Sequence, residues 1–225
     1  MLDRRRFSLL LPAVALTGCG SYEIKNLAKS DINLVSDEFI AETRSLVREL
    51  MVKLYGRNPD QLSRGAIHTA AARLQQLQDT PGPLRFAELD NAEGIDALEL
   101  VFDAGFDGDR VFALTVGLGD MLRRAYGYNQ ELFIFDSLDA AILETSARNI
   151  EILLWRLGNN RQAGGAPFLV TGEYRGVIDN LSFERLFGKL IALQDMMARI
   201  ASDAGNRRVT KAVHTATSVF IPLPI

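Results

Sequence analysis

The 225-residue sequence holds one cysteine, one tryptophan and two histidines. A single thiol rules out a disulfide within the chain, so packing alone must hold the fold. No cysteine pair is present to build a zinc site, and His68 and His214 fall on separate predicted helices. A metal would need both rings plus carboxylates meeting in space, so no metal site is expected. Basic charge is not in excess either: 25 lysines and arginines stand against 28 acidic residues, net −3. Without a patch that displaces counterions from phosphates, no nucleic-acid partner is expected.

Motifs of catalysis are equally sparse. There is no G-x-S-x-G elbow, and any serine nucleophile would have only those two histidines as base. "GLGDML" at Gly117 to Leu122 places Leu122 where a dinucleotide fingerprint needs its third glycine. Gly117 and Gly119 are therefore assigned to close helix packing. "DAGFDGDRVFAL" has Gly105 and Leu114 at the third and twelfth positions of a calcium loop, which cannot supply side-chain oxygens. It reads better as a turn, with Asp109 capping the next helix. Neither a fixed-period repeat nor a sustained heptad is present.

What the sequence does have begins at its N-terminus, "MLDRRRFSLLLPAVALTGCG". The apolar run Phe7 to Thr17 is only about half the length that spans a bilayer. Arg4, Arg5 and Arg6 form a positive n-region, Leu9 to Leu16 an h-region, and Thr17 and Gly18 a small-residue approach to a cut. "LTGC", Leu16 to Cys19, resembles the bacterial lipobox. That resemblance implies cleavage between Gly18 and Cys19 and a covalent diacylglycerol and N-acyl lipid on the Cys19 sulfur and amine, with no other cofactor. Each buried methylene contributes about 0.8 kcal/mol, so two or three acyl chains make the bilayer a permanent partner. Gly20 and Ser21 follow the cysteine in place of an aspartate, which resembles an outer-membrane lipoprotein facing the periplasm. "DRRRFSLL" resembles the twin-arginine export pattern, although Ser8 and Leu9 depart from it and three arginines also suit ordinary secretion. The expected organisation is a signal peptide over 1–18, a lipidated cysteine and tether over 19–30, and a body over 31–225. Loss of the signal removes three arginines and one aspartate, which shifts the net charge from −3 to −5.

The body reads as one all-α domain, an antiparallel helical bundle of six or seven helices. Three-and-four apolar spacing predicts helices over Val35–Tyr55, Ala66–Leu77, Ala92–Ala104, Asp109–Tyr126, Ser137–Leu157 and Phe183–Ser202, with a last one over Asn206–Val219. Ser137 and Ser182 are the expected caps, and Leu181 with Leu186 an expected hydrophobic staple. "NQELFIFD" is the one stretch that suits an extended run, and "FLVTGEYRGVIDN" suits a short hairpin or a loop.

Two places suggest function. From Glu88 to Asp109 there are eight acidic residues and no basic one. At 100° per residue Asp96, Glu99 and Asp103 share a helix face, which is either a solvated surface or a dock for a cationic partner. In "ARNIEILLWRLGNN" the polar Asn149 enters an apolar face near Trp155 and Arg156. These three are candidate walls of a ligand pocket, with arginine as the anion clamp. The first expectation is a non-catalytic envelope interaction or assembly module that docks an envelope protein on the acidic face. The alternative is a helical carrier for a small apolar or anionic ligand. A carboxylate-dependent cell-wall hydrolase ranks lowest, since it needs two acidic side chains converging in a cleft.

Overall fold

The structure is a computed structural model that describes residues 31–132, 138–174, 177–178 and 180–204. Helices α1 (Asp31–Arg57), α2 (Ala70–Asp79), α3 (Gly94–Leu100), α4 (Arg110–Ala125), α5 (Ala140–Asn159) and α6 (Ser182–Ala204) are joined by loops carrying 3-10 turns at Pro59–Ser63 and Ala87–Leu89. Between α5 and α6 lies a minimal hairpin, β1 (Glu173–Tyr174) antiparallel to β2 (Val177–Ile178). The fold is an all-α, bundle-like domain, with six α-helices among the described residues. The expected signal peptide, Cys19 and tether, the expected Asn206–Val219 helix, His214 and the C-terminal residues after Val219 lie outside them, as do Ser137 and Phe133 to Asp136 of the suspected extended stretch.

Helix α4 is the centre. Every residue from Arg110 to Leu122, and Ala125, is buried; only Arg123 and Arg124 reach partly into solvent. A helix buried on nearly all sides must be wrapped by others, and α3, α1 and α5 wrap it, while α6 packs on α5 and α1. The α1 stripe is buried as its spacing predicts, at Ile40, Leu46, Val47, Leu50, Met51 and Leu54, although Val35 is exposed. On α6, Phe183, Leu186, Phe187, Leu190 and Met197 are buried likewise.

The seam between α3 and α4 closes at Gly117. A Cβ there would sit 2.6 Å from the Gly94 carbonyl oxygen and 2.8 Å from the Leu98 nitrogen, both backbone atoms that cannot swing aside. The assignment of Gly117 to close packing holds. Gly119 is looser, its nearest neighbour being the Leu84 Cδ1 methyl at 3.3 Å.

Several helix boundaries differ from the expected ones, each for a local reason. Helix α2 starts at Ala70 because Thr69 adopts an extended backbone and its hydroxyl accepts from the Ala72 N–H. Helix α3 is seven residues long, shorter than Ala92–Ala104. Asp90 and Asn91 take positive φ before it, and its end tightens into three-residue-spaced bonds from Val101, Phe102 and Asp103. The Arg110 guanidinium donates to the carbonyls of Leu100 and Val101 at that end. Asp109 caps α4 as expected, accepting from Phe112 N–H at 2.9 Å. Helix α5 is capped by Asp139, which accepts from Ala141 N–H at 2.9 Å, while the expected cap, Ser137, lies outside the described residues. Ser182 does not cap α6: it is the first helical residue, and its own N–H donates to Asn180 Oδ1 at 2.9 Å. Leu181 is 65% exposed, so the expected staple with Leu186 is not formed.

Candidate functional site

Four of the eight acidic residues of the segment, Glu88, Glu93, Glu99 and Asp109, turn out to be counter-ions whose cations come from elsewhere in the chain. Glu88 meets the fully buried Arg73 of α2, with Nη2 to Oε2 at 2.7 Å. The same guanidinium lies 4.0 Å above the Phe112 ring and 3.6 Å from Asp109, whose Oδ2 also accepts the Tyr55 hydroxyl at 2.7 Å. Burial raises the Asp109 pKa and pushes that of Tyr55 up as well. This cluster ties α1, α2 and the start of α4 together. Arg85 pairs with Glu93, and Arg156 pairs with Glu99 through two bonds of 2.8 and 2.9 Å.

The expected docking face therefore does not form as a helical stripe. Asp96 is exposed on α3, Glu99 is committed to Arg156, and Asp103 lies beyond the helix end, where its Oδ1 accepts from Gly105 N–H at 2.8 Å. Nor do Asn149, Trp155 and Arg156 share a pocket. Asn149 is fully buried within α5, Trp155 points outward at 51% exposure, and the Arg156 guanidinium stacks 4.2 Å over Phe102. At 100° per residue Asn149 and Arg156, seven positions apart, fall on nearly the same face while Trp155 lies about 120° away, and the Arg156 guanidinium reaches outward along its long stem to Glu99. His68 sits on the surface with Nδ1 3.0 Å from the Leu62 carbonyl oxygen. Among the described residues, no cluster of three or more His, Cys, Asp or Glu side chains could hold a metal ion.

A cleft of about 300 Å³ opens elsewhere, between α1, the end of α2 with the loop after it, and the end of α4 with the loop that follows. From α1 come Ile40, Thr43, Arg44, Val47 and Arg48, one face at three-and-four spacing. Leu77, Leu84, Gly119 and Leu122 supply apolar surface; Arg123, Tyr126 and Tyr128 complete the far wall. Three arginines thus line one small cleft, and none of the lining residues is a carboxylate.

The walls are pinned from behind. The Arg123 guanidinium donates to the carbonyls of Leu77 at 2.8 Å, Thr80 at 2.7 Å and Gly82 at 3.1 Å, fixing the loop after α2. Arg44 Nη2 donates to the Asn129 carbonyl at 3.1 Å, which holds the opposite loop. Asp120, buried beneath, accepts from Leu84 N–H at 2.8 Å and from the Tyr128 hydroxyl at 3.4 Å, so one carboxylate joins both lips. Gly127 and Tyr128 both take positive φ, at 63° and 59°, in the turn that brings Tyr128 back over the cleft. A tyrosine in the left-handed region is strained, and such strain persists only where the surroundings enforce it. Tyr126 is held from the core by Gln194, whose Nε2 donates to its hydroxyl at 3.2 Å.

Electrostatics mark the cleft as electron-poor. Burial, then the charge of Arg48, lowers the Arg44 pKa; burial, then the charge of Arg44, lowers that of Arg123. Arginine stays cationic through such shifts. Burial pushes the hydroxyls of Tyr126 and Tyr128 up to about 12, assisted at Tyr128 by the charge of Asp120, so both remain neutral. Chemically, the arrangement offers guanidinium donors over an apolar floor, a combination suited to holding an anion. The cleft was missed at the sequence level, though "ETRSLVREL" does set Arg44 and Arg48 one turn apart beside the Val47 stripe. Comparisons with protein-family models, with curated proteins and with solved structures give no match.

Proposed function

We propose that this chain is a non-catalytic, lipid-anchored binding protein that holds a small anionic ligand in the cleft between α1, α2 and α4. Its body stands on a short tether from acylated Cys19, on the periplasmic face of the outer membrane. The supporting observation is the convergence of Arg44, Arg48 and Arg123 on one cleft that no carboxylate lines. Like charges so placed oppose folding, and an anion arriving from solution relieves that repulsion. The volume lies at the lower end of the range for small-molecule sites, about 300 to 1,000 Å³. Anchoring rests on the "LTGC" resemblance. Docking through the acidic segment has less support, because Glu99 serves as an internal counter-ion and Asp103 closes its own turn. The hydrolase reading lacks its paired carboxylates in this cleft.

Native mass spectrometry of the full chain, purified from its own envelope, tests the proposal. The expected result is a small extra mass released on denaturation, and its loss from the Arg44→Gln/Arg48→Gln double variant. An extra mass that survives both substitutions, or an apo mass throughout, would sink the reading.

A further inference from the structure

We infer that the ligand is an amphiphilic oxyanion, a carboxylate or phosphate carried on an aliphatic chain, with its headgroup between Arg44 and Arg48 and its chain on the apolar floor. The inference rests on the anion-binding reading above and adds the class of ligand. Arg44 and Arg48 stand one helical turn apart on α1, a spacing of neighbouring side chains. Arg48 is exposed and Arg44 half-buried, which puts the pair at the mouth. Arginine forks match carboxylate and phosphate oxygens two at a time, and both arginines keep N–H groups beyond the single bond that Arg44 gives to Asn129. Arg123 spends its terminal nitrogens on three backbone carbonyls, so it contributes field rather than contacts.

Beneath this mouth the surface changes character. Ile40, Val47, Leu77, Leu84 and Leu122 are each buried and line the cleft together. Gly119 adds no side chain to the floor; a Cβ there would meet only the Leu84 Cδ1 methyl closely, at 3.3 Å. A hydrated inorganic anion gains nothing from such a floor, whereas an aliphatic chain laid on it removes its own surface from water at roughly 25 cal/mol per Å². Size agrees: about 300 Å³ holds on the order of ten waters at ~30 Å³ each, far more than a bare phosphate fills.

The test titrates the full chain, held in phosphatidylcholine nanodiscs, with hexyl phosphate, hexanoate, hexanol and inorganic phosphate by calorimetry, with empty nanodiscs as the blank. Hexyl phosphate should bind at a single site at least about tenfold more tightly than inorganic phosphate, as a buried alkyl chain requires. Arg48→Gln, at an exposed position that leaves the core intact, should weaken both hexyl anions by about tenfold through loss of a charged donor. Arg64→Gln, another partly exposed arginine, should change neither. Preference between hexyl phosphate and hexanoate distinguishes a phospholipid-type source from a fatty-acid-type one, and either preference supports the class. Equal affinity for hexyl phosphate and inorganic phosphate would overturn the amphiphile while leaving the anion site standing. Hexanol binding as tightly as hexanoate would overturn the headgroup assignment. If no anion saturates, or if Arg48→Gln changes nothing, the inference and the anion-binding reading fall together.

Discussion

Among single residues, Asp120 shapes the cleft without lining it. Its two oxygens hold Leu84 on one lip and Tyr128 on the other. Burial raises its pKa, opposed in part by the Leu84 N–H; Glu93 adds repulsion, Tyr128 a hydrogen bond and Arg123 attraction. With the folded pKa above the unfolded value of about 3.9, the folded state keeps its proton where the unfolded chain has lost it. The contribution of Asp120 to stability therefore falls as pH rises from the unfolded value through the folded one, and then levels. Glu88 and Glu93 run the other way, their pKa values lowered chiefly by Arg73 and Arg85 against the cost of burial, and their contribution is lost as pH falls. A difference measurement isolates Asp120. Asp120→Asn keeps an acceptor for Leu84 but cannot titrate, so its stability relative to the unsubstituted chain should rise between about pH 4 and pH 7. Urea midpoints across that range give the answer, and a constant gap would show that Asp120 does not carry the shift.

Between elements, the closest approach is the seam of α3 on α4, and it depends on one missing methyl group. Gly117→Ala gains helix propensity of up to about 1 kcal/mol, yet its Cβ meets the backbone of Gly94 and Leu98. Overpacking against atoms that cannot yield costs about 1–3 kcal/mol, so net destabilisation is expected. Gly119→Ala, two residues along the same helix, meets only the end of a leucine and should be near neutral. Chemical denaturation of the two variants side by side makes the comparison; equal effects would mean that the seam is not set by Gly117. The same scale explains the acidic segment. Glu88, Glu93 and Glu99 find their cations on α2, on the loop before α3 and on α5, so a charge run on one stretch is balanced by elements that fold against it. The Arg156–Glu99 pair, with its glutamate half-exposed, contributes little to stability, on the order of 1 kcal/mol or less.

At the scale of the whole molecule, the proposal places a ligand-binding body on a lipid tether. Among the described residues no helix is long and apolar enough to cross a membrane. Attachment in this proposal rests wholly on Cys19, and Cys19→Ala should abolish labelling by palmitate and move the chain out of the membrane fraction. Persistence of either would remove the anchor from the account. Tethering would also confine the cleft to the neighbourhood of a bilayer, where amphiphilic anions are concentrated.

The all-α class was legible because it depends on local periodicity: the α1 and α6 stripes are buried almost residue for residue, and Asp109 and Asp139 start their helices by bonds that span two or three residues. The packing role of Gly117 was legible for a similar reason, since a glycine inside a strong helical pattern has few other uses. Functional geometry was not. Arg73 sits on a short helix with outward glutamines and nothing in its neighbours announces full burial; its partners, Glu88 and Asp109, lie 15 and 36 positions away. Trp155 and Arg156 are adjacent in sequence yet point to different surroundings. The cleft joins residues from Ile40 to Gln130, with its walls pinned by bonds between positions as distant as Arg44 and Asn129. Sequence by itself determined the six helices of the described residues and the Asp109 cap of α4, because each follows from side chains within a few residues of one another. Which charges pair and where three arginines converge were decided by tertiary structure, because Coulomb interactions and cavities depend on distances in space that only the packing of helices sets.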